Sequence, residues 1–294
     1  MLTSAGIQWK ATLTSLLVAM VLVFAGCKSA AQTSLSAQEV VNRAIAATST
    51  LGTYTMDTVM TGLMEMTSAE KGQSENVKVK TTGTLKLEFD KTKKAAKLIM
   101  QTKAEAQSPP NQSFEQKMET YFLDGTLYMG TTDTTGKTKW TKTKFPSADG
   151  SFPNATTIND IIELVRGSQI EDLSTDKFAG KNAYVLKVRP DMAKLLDLMI
   201  RGNNALDNSP VVANSIGNIV KSFSVKVWVS MDDFRLLKEE AQITLGMDAN
   251  TMGLPGSSSL SLDMNTNTLF SYDTRVLITV PEEALNAPQT LPSK

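Results

Sequence analysis

The chain has 294 residues, 41% of them hydrophobic, with 30 basic side chains balanced by 30 acidic ones, no histidine and one cysteine. A neutral balance excludes the basic footprint with which nucleic-acid binders neutralise several phosphates. Without imidazole or a second thiol there is no Ser-His-Asp or Cys-His machinery, no zinc site of the usual ligand set and no side chain that ordinarily titrates near neutrality.

The first element is an apolar run, Leu13 to Phe24, preceded by Lys10 and followed by Ala25-Gly26-Cys27. The run is short for a membrane span and right for the core of a signal peptide. Small residues ahead of the only cysteine form a lipobox, although Phe24 stands where leucine is usual. Residues 1–26 are therefore expected to be a lipoprotein signal peptide and Cys27 the lipidation site. The other reading is an ordinary amino-terminal membrane anchor with an incidental cysteine. Acylation by more than one chain would give lasting attachment on the extracytoplasmic face of the cell membrane. Residues 27–35 then form a small, polar tether with a reach of about 28 Å.

Ser36 and Glu39 match a capping box, and Val40, Val41, Ala44, Ile45 and Ala47 follow at helical spacing, which predicts an amphipathic helix over 36–48. From Thr53 the period switches to two. Tyr54, Met56, Met60, Met64 and Met66 share one parity and predict a long half-buried strand. Shorter alternations follow at 77–79, 85–89 and 98–100. Asp124-Gly125 between two apolar runs is a strong hairpin signal, because both residues tolerate positive φ. Residues 157–167 carry Ile158, Ile161, Ile162 and Val165 on one helical face and stop at Gly167. A second hairpin is expected about 179–182. Residues 190–221 interrupt the strands with an apolar, helical insert in which Leu195, Leu196 and Met199 form a stripe. Strands resume with Phe223, Val225, Val227 and Val229, then 236–245 and 260–264, and Val276, Ile278 and Val280 are expected to close the sheet. The tail from Pro281 is expected to be frayed.

The acidic pairs Asp232-Asp233, Glu239-Glu240 and Glu282-Glu283 lie beside turn or strand-end signals, where solvation at the surface explains them. No catalytic residue, metal site or cofactor is expected. The order of elements predicts an α+β fold: a strongly curved antiparallel sheet, an open half-barrel of about ten strands, with helices packed on its concave face. Residues 36–294 would form this one domain.

Several segments resemble the lipoprotein-carrier (LolA/LolB-like) superfamily and its extracytoplasmic and mycobacterial lipid-binding relatives: the lipobox, the capped helix, the strand from Thr53 to Met66, Phe178 to Leu186, Val225 to Lys238 and Val276 to Ala284. The resemblance implies an open β half-barrel whose cavity receives acyl chains. It departs from the soluble carriers in its tether and in the size of the 190–221 insert.

Tyr54, Met56, Met60 and Met64, with Leu195, Leu196 and Met199, are the candidate lining of such a cavity, since a flexible thioether refits around ligands of different shape. A buried acyl chain offers roughly 0.8 kcal/mol per methylene, at most about 13 kcal/mol for a palmitoyl tail before ordering costs. The expected partners are a lipid or acylated ligand and the membrane, with no nucleic acid. A tethered interaction or scaffold module with a filled core, binding an envelope protein through its outer sheet face or edge, is the alternative, and an enzyme is a third option.

Overall fold

The computed structural model describes residues 35–70, 73–108, 110–144, 164–191, 219–248 and 259–290. The expected signal peptide, Cys27, nearly all of the tether, most of the 157–167 helix and insert residues 192–218, with Leu195, Leu196 and Met199, lie outside the described residues.

Helix α1 (Ala37–Ser49) begins one residue after the capping serine. An ion pair between Glu39 and Arg43 at 2.6 Å spans one turn of its exposed side. Two antiparallel meanders follow. The first comprises β1 (Thr53–Glu70), β2 (Gln73–Asp90), β3 (Ala95–Ser108), β4 (Pro110–Leu123), β5 (Thr126–Thr132) and β6 (Thr138–Lys144). The second comprises β7 (Gln169–Phe178), β8 (Lys181–Arg189), β9 (Val220–Ser230), β10 (Leu236–Asp248) and β11 (Ser259–Tyr272). Helix α2 (Glu282–Leu285) and the short β12 (Gln289–Thr290) end the described chain.

The meanders join edge to edge where β1 pairs with β11, giving one curved, unclosed sheet of 12 strands in the order β12-β6-β5-β4-β3-β2-β1-β11-β10-β9-β8-β7. Every pairing is antiparallel except that of β12 with β6. The expected ten strands become twelve. One addition is β12. Another change is β2, which runs unbroken for 18 residues where Thr81-Thr82-Gly83-Thr84 hides the continuity between two apolar pieces.

Two turns match their sequence signals. Asp124 (φ 51) and Gly125 (φ 72) make the two-residue β4–β5 turn, and Ala179 (φ 49) with Gly180 (φ 80) makes the β7–β8 turn. Paired positive φ values match the right-handed twist of the flanking strands. At Ala179 an ordinary side chain accepts that strained conformation, and the second turn is tighter than expected.

Alternation divides every strand between two faces, called inner (the side of Tyr54 and Met56) and outer. The inner face is solid around Tyr54, Met56, Leu87, Phe122 and Phe270, all nearly inaccessible. Tyr54 and Phe89 pack with ring centroids 5.0 Å apart and planes tilted by 32°. α1 brings Val41 and Ala44, with Val165, against Leu186, Val227, Val229 and Leu236, leaving a void of only about 10 Å³. Leu164 and Val165 are buried in the described end of the second expected helix.

The C-terminal segment departs from expectation. Residues 274–281 form no strand. Their alternation instead buries Val276 and Val280 and leaves Leu277 73% exposed. Val280, Ile278 and Ala284 pack with Tyr121, Tyr128 and Trp140 on the outer face of β4–β6. Nor is the tail frayed as far as Thr290. Lys142 Nζ donates to the Leu285 carbonyl at 2.7 Å, and Gln289 and Thr290 pair with β6.

Gly130 is required by this outer cluster. A Cβ there would lie 2.7 Å from the ring of Trp140, which is wedged against Tyr121 at a centroid separation of 5.9 Å. A rigid indole cannot yield as a flexible chain would, and overpacking of this kind costs roughly 1–3 kcal/mol. Gly130→Ala should therefore lower the thermal midpoint by several degrees and alter the tryptophan emission of the folded protein, both read in one fluorescence melt.

Candidate functional site

Beyond the solid region, toward the β1–β2 turn, the inner face is half-open. Register places Met60 beside Gly83 and Thr266, Met64 beside Val79 and Leu262, and Met66 beside Val77 and Leu260. On β10, Ile243, Leu245 and Met247 continue these rows through Met264, Leu262 and Leu260. Most of these side chains are half-buried, whereas Met66 is 40% exposed and Phe114, on the same face of β4, is 53% exposed. Met60 lies across the bare backbone of Gly83, its Cε 3.1 Å from where a Cβ would stand.

The candidate residues therefore divide. Tyr54 and Met56 are 4% and 5% exposed and sit within the solid core. Met60 and Met64 lie on the half-open part, with the apolar ends of β2, β10 and β11.

Between the two regions runs a polar row. Thr58 and Thr268 are both buried and share a hydrogen bond of 2.9 Å across the β1–β11 junction. The next strand contributes Glu239, paired with Thr268 on one side and Val227 on the other. A bulge at Leu236/Lys238 sets this phase. It places Leu236 inward, Leu237 outward with Trp228, and Lys238 outward with its Nζ 4.6 Å from the Trp228 ring centroid. Glu239 consequently faces inward, and the solvated-surface reading of the Glu239-Glu240 pair fails for its first member. Burial pushes its carboxyl up to about 7. Among the described residues no hydrogen bond or ion pair offsets that burial.

The outer face carries a hollow of about 440 Å³. One cross-strand row there is Val59, Asn267, Glu240, Lys226 and Lys187, and the next is Thr61, Asn265, Gln242 and Ser224. Lys187 reaches Glu171 at 3.3 Å and Glu240 reaches Lys238 at 2.6 Å. The amides of Gln242, Asn265 and Asn267 have no partner among the described residues. This trough of hydroxyls, amides and mixed charge lies on the side of the sheet opposite the methionines. No cluster of carboxylates or other ligands suited to a metal ion occurs among the described residues.

Sequence parity carried signals for both features. Glu239 is in phase with Ala241, Ile243 and Leu245, and Gln242 is in phase with Glu240. The Glu-Glu pair beside a turn masked the first signal, and the second acquires meaning only when five strands are brought into register.

Residues 36–289 match the model of a family of unknown function, DUF6612. The chain belongs to the DUF6612 family. No curated protein matches this DUF6612 chain. Similar solved structures include a DUF1329 family protein from Desulfovibrio piger, at 12% identity and TM-score 0.23 over 81% of this chain and 93% of that one. LolA superfamily protein NE2245 from Nitrosomonas europaea is 9% identical, with TM-score 0.22, over 85% of this chain and 96% of that one. The ywiB protein from Bacillus subtilis is 9% identical, with TM-score 0.18, over 74% and 93%. Scores this low leave the description of the DUF6612 fold resting on its own strand order.

A carboxyl that prefers its proton in the folded state makes stability depend on pH in a defined direction. The native protein binds the proton more tightly than the unfolded chain, so this stabilisation is fully present below the ordinary carboxylate range and is lost as pH rises through about 7. The difference is worth at most about 3–4 kcal/mol. Urea unfolding should show stability falling from pH 5 to pH 8, and Glu239→Gln should flatten that part of the profile. Parallel profiles would mean that the carboxyl is solvated.

Proposed function

We propose that this DUF6612 chain is a lipoprotein tethered by an acylated Cys27 to the extracytoplasmic face of the membrane, where it binds acyl chains on the half-open inner face and carries or transfers them. The observation that carries this reading is the block of half-buried methionine, leucine and valine side chains at the distal ends of β1, β2, β10 and β11. A monomer seldom leaves contiguous apolar surface without a use for it, and methionine adapts to chains of differing length and unsaturation. From Glu239 to Met247 the strand rises roughly 27 Å, enough for an extended palmitoyl tail. In this proposal the sheet curves about the ligand, and Leu195, Leu196 and Met199 of the insert add to its apolar contacts. Binding is non-enzymatic.

The full chain in amphipol should hold lipid in a defined ratio by native mass spectrometry. Met60→Arg, which places a cation on the half-open face, should remove that lipid and leave the circular dichroism of the sheet unchanged. Uptake equal to that of the parent protein would take the inner face out of consideration. Separately, the parent protein should incorporate labelled palmitate in cells and Cys27→Ser should abolish that label; a parent protein that takes up no label would show that the apolar run itself is the anchor.

The outer trough favours a second reading, in which the tethered domain docks an envelope partner through its outer face. Gln242→Ala with Asn267→Ala would then abolish capture of that partner while lipid content stays unchanged.

A further inference from the structure

Among the described residues the half-open face ends at a single carboxyl. Glu239 stands at the boundary between the solid part of the inner face and the apolar rows that continue to Met247. Its cross-strand neighbours are Val227 on β9 and Thr268 on β11, with the Thr58 hydroxyl one strand further on. The nearest inner-face residue on its own strand is Ala241, and Val41 and Ala44 of α1 line the same small void as its neighbour Val227 and the preceding inner-face residue Leu236. Among the described residues none of these groups is charged. The adjacent Lys238 and Glu240 point to the other face and pair with each other at 2.6 Å.

An ionisable group that the fold partly withdraws from water without a partner is costly, and that cost falls when a donor reaches it. The Thr58 and Thr268 hydroxyls bond each other, and the carboxylate is the one ionisable acceptor beside them among the described residues. An amphiphile lying along those rows would bring its head to Glu239 and its tail toward Met64 and Met247.

We propose that Glu239 is the head-group receptor of the inner face, and that the preferred ligand is a long-chain amphiphile whose head is an ammonium group. This rests on the acyl-binding reading above and adds the polarity of the ligand's head. An ammonium satisfies the carboxylate with a charge-assisted hydrogen bond, whereas an uncharged hydroxyl gives a weaker one and a fatty-acid carboxylate is repelled. Binding of the amine should therefore weaken as pH falls and Glu239 takes up its proton, because the attraction is to the anion. A fatty acid should show the opposite trend.

Displacement of a fluorescent acyl probe from the full chain in amphipol tests this, with hexadecylamine, hexadecanol and palmitic acid as competitors at pH 8 and pH 5. At pH 8 the amine should compete at least about tenfold better than the alcohol, the scale of one charge-assisted hydrogen bond. Glu239→Gln preserves shape and polarity, and it should erase that preference and its pH dependence while leaving binding of the alcohol unchanged. Equal competition by amine and alcohol in the parent protein, or an amine preference that survives Glu239→Gln, overturns the assignment but leaves the acyl-binding reading intact. If the probe itself does not bind, the acyl-binding reading falls and this assignment with it.

Discussion

The pairing of β1 with β11 is the constraint on which the architecture depends. It runs from Tyr54↔Tyr272 to Thr67↔Ser259, joining segments about as far apart as the domain allows. Each meander alone is built from local hairpins, but only this junction makes them one sheet. Its register aligns the apolar parity of β1 with that of β11, and a slip by one residue would turn every methionine of β1 to the outer face. The buried Thr58–Thr268 hydrogen bond helps fix that register, since a slipped pairing would leave both hydroxyls without each other. Closing so long a loop of chain costs entropy before the junction returns any of it, so joining the meanders is expected to be the late step of folding.

Given that junction, the two faces have different fates along the strands. The inner face is closed at one end by aromatic side chains, α1 and Val165, which fill it almost without voids. Toward the opposite end the strands extend beyond that cover, and methionine replaces the aromatics. On the outer face the C-terminal segment packs over β4–β6, the strands β7–β10 pack their own side chains around Trp228, and the polar trough lies on strands β1 and β8–β11. Stability thus comes from the solid end and the flanks.

Much of this was legible locally. The parity of β1, the Asp124-Gly125 turn and the first residue of α1 follow from side-chain alternation, tolerance of positive φ and capping. What was missed depends on partners distant in sequence. β2 looked broken because threonine and glycine form its middle, yet backbone pairing on both edges keeps it extended. Val276, Ile278 and Val280 alternate like a strand, but their apolar side is satisfied by Tyr121 and Trp140 instead of by a ladder. Tyr54 and Met56 share the parity of Met60 and Met64, and alternation alone could not say where along the strand the cover ends. The trough combines residues from 59 to 267 and has no local signature.

The bulge in β10 gives Glu239 its significance. With strict alternation from Leu236, Lys238 would face inward and Glu239 outward, and the inner face would carry a flexible cation able to reach water. The extra residue instead sends Leu237 and Lys238 to the outer face, where they pack on Trp228, and turns the shorter carboxylate inward. One backbone irregularity thereby completes the outer cluster and places a proton-binding group at the head of the apolar rows. Glutamine there would fill the same space without the electrostatic cost of an ionised carboxylate. Packing does not account for the charge, and the head-group proposal gives it a role.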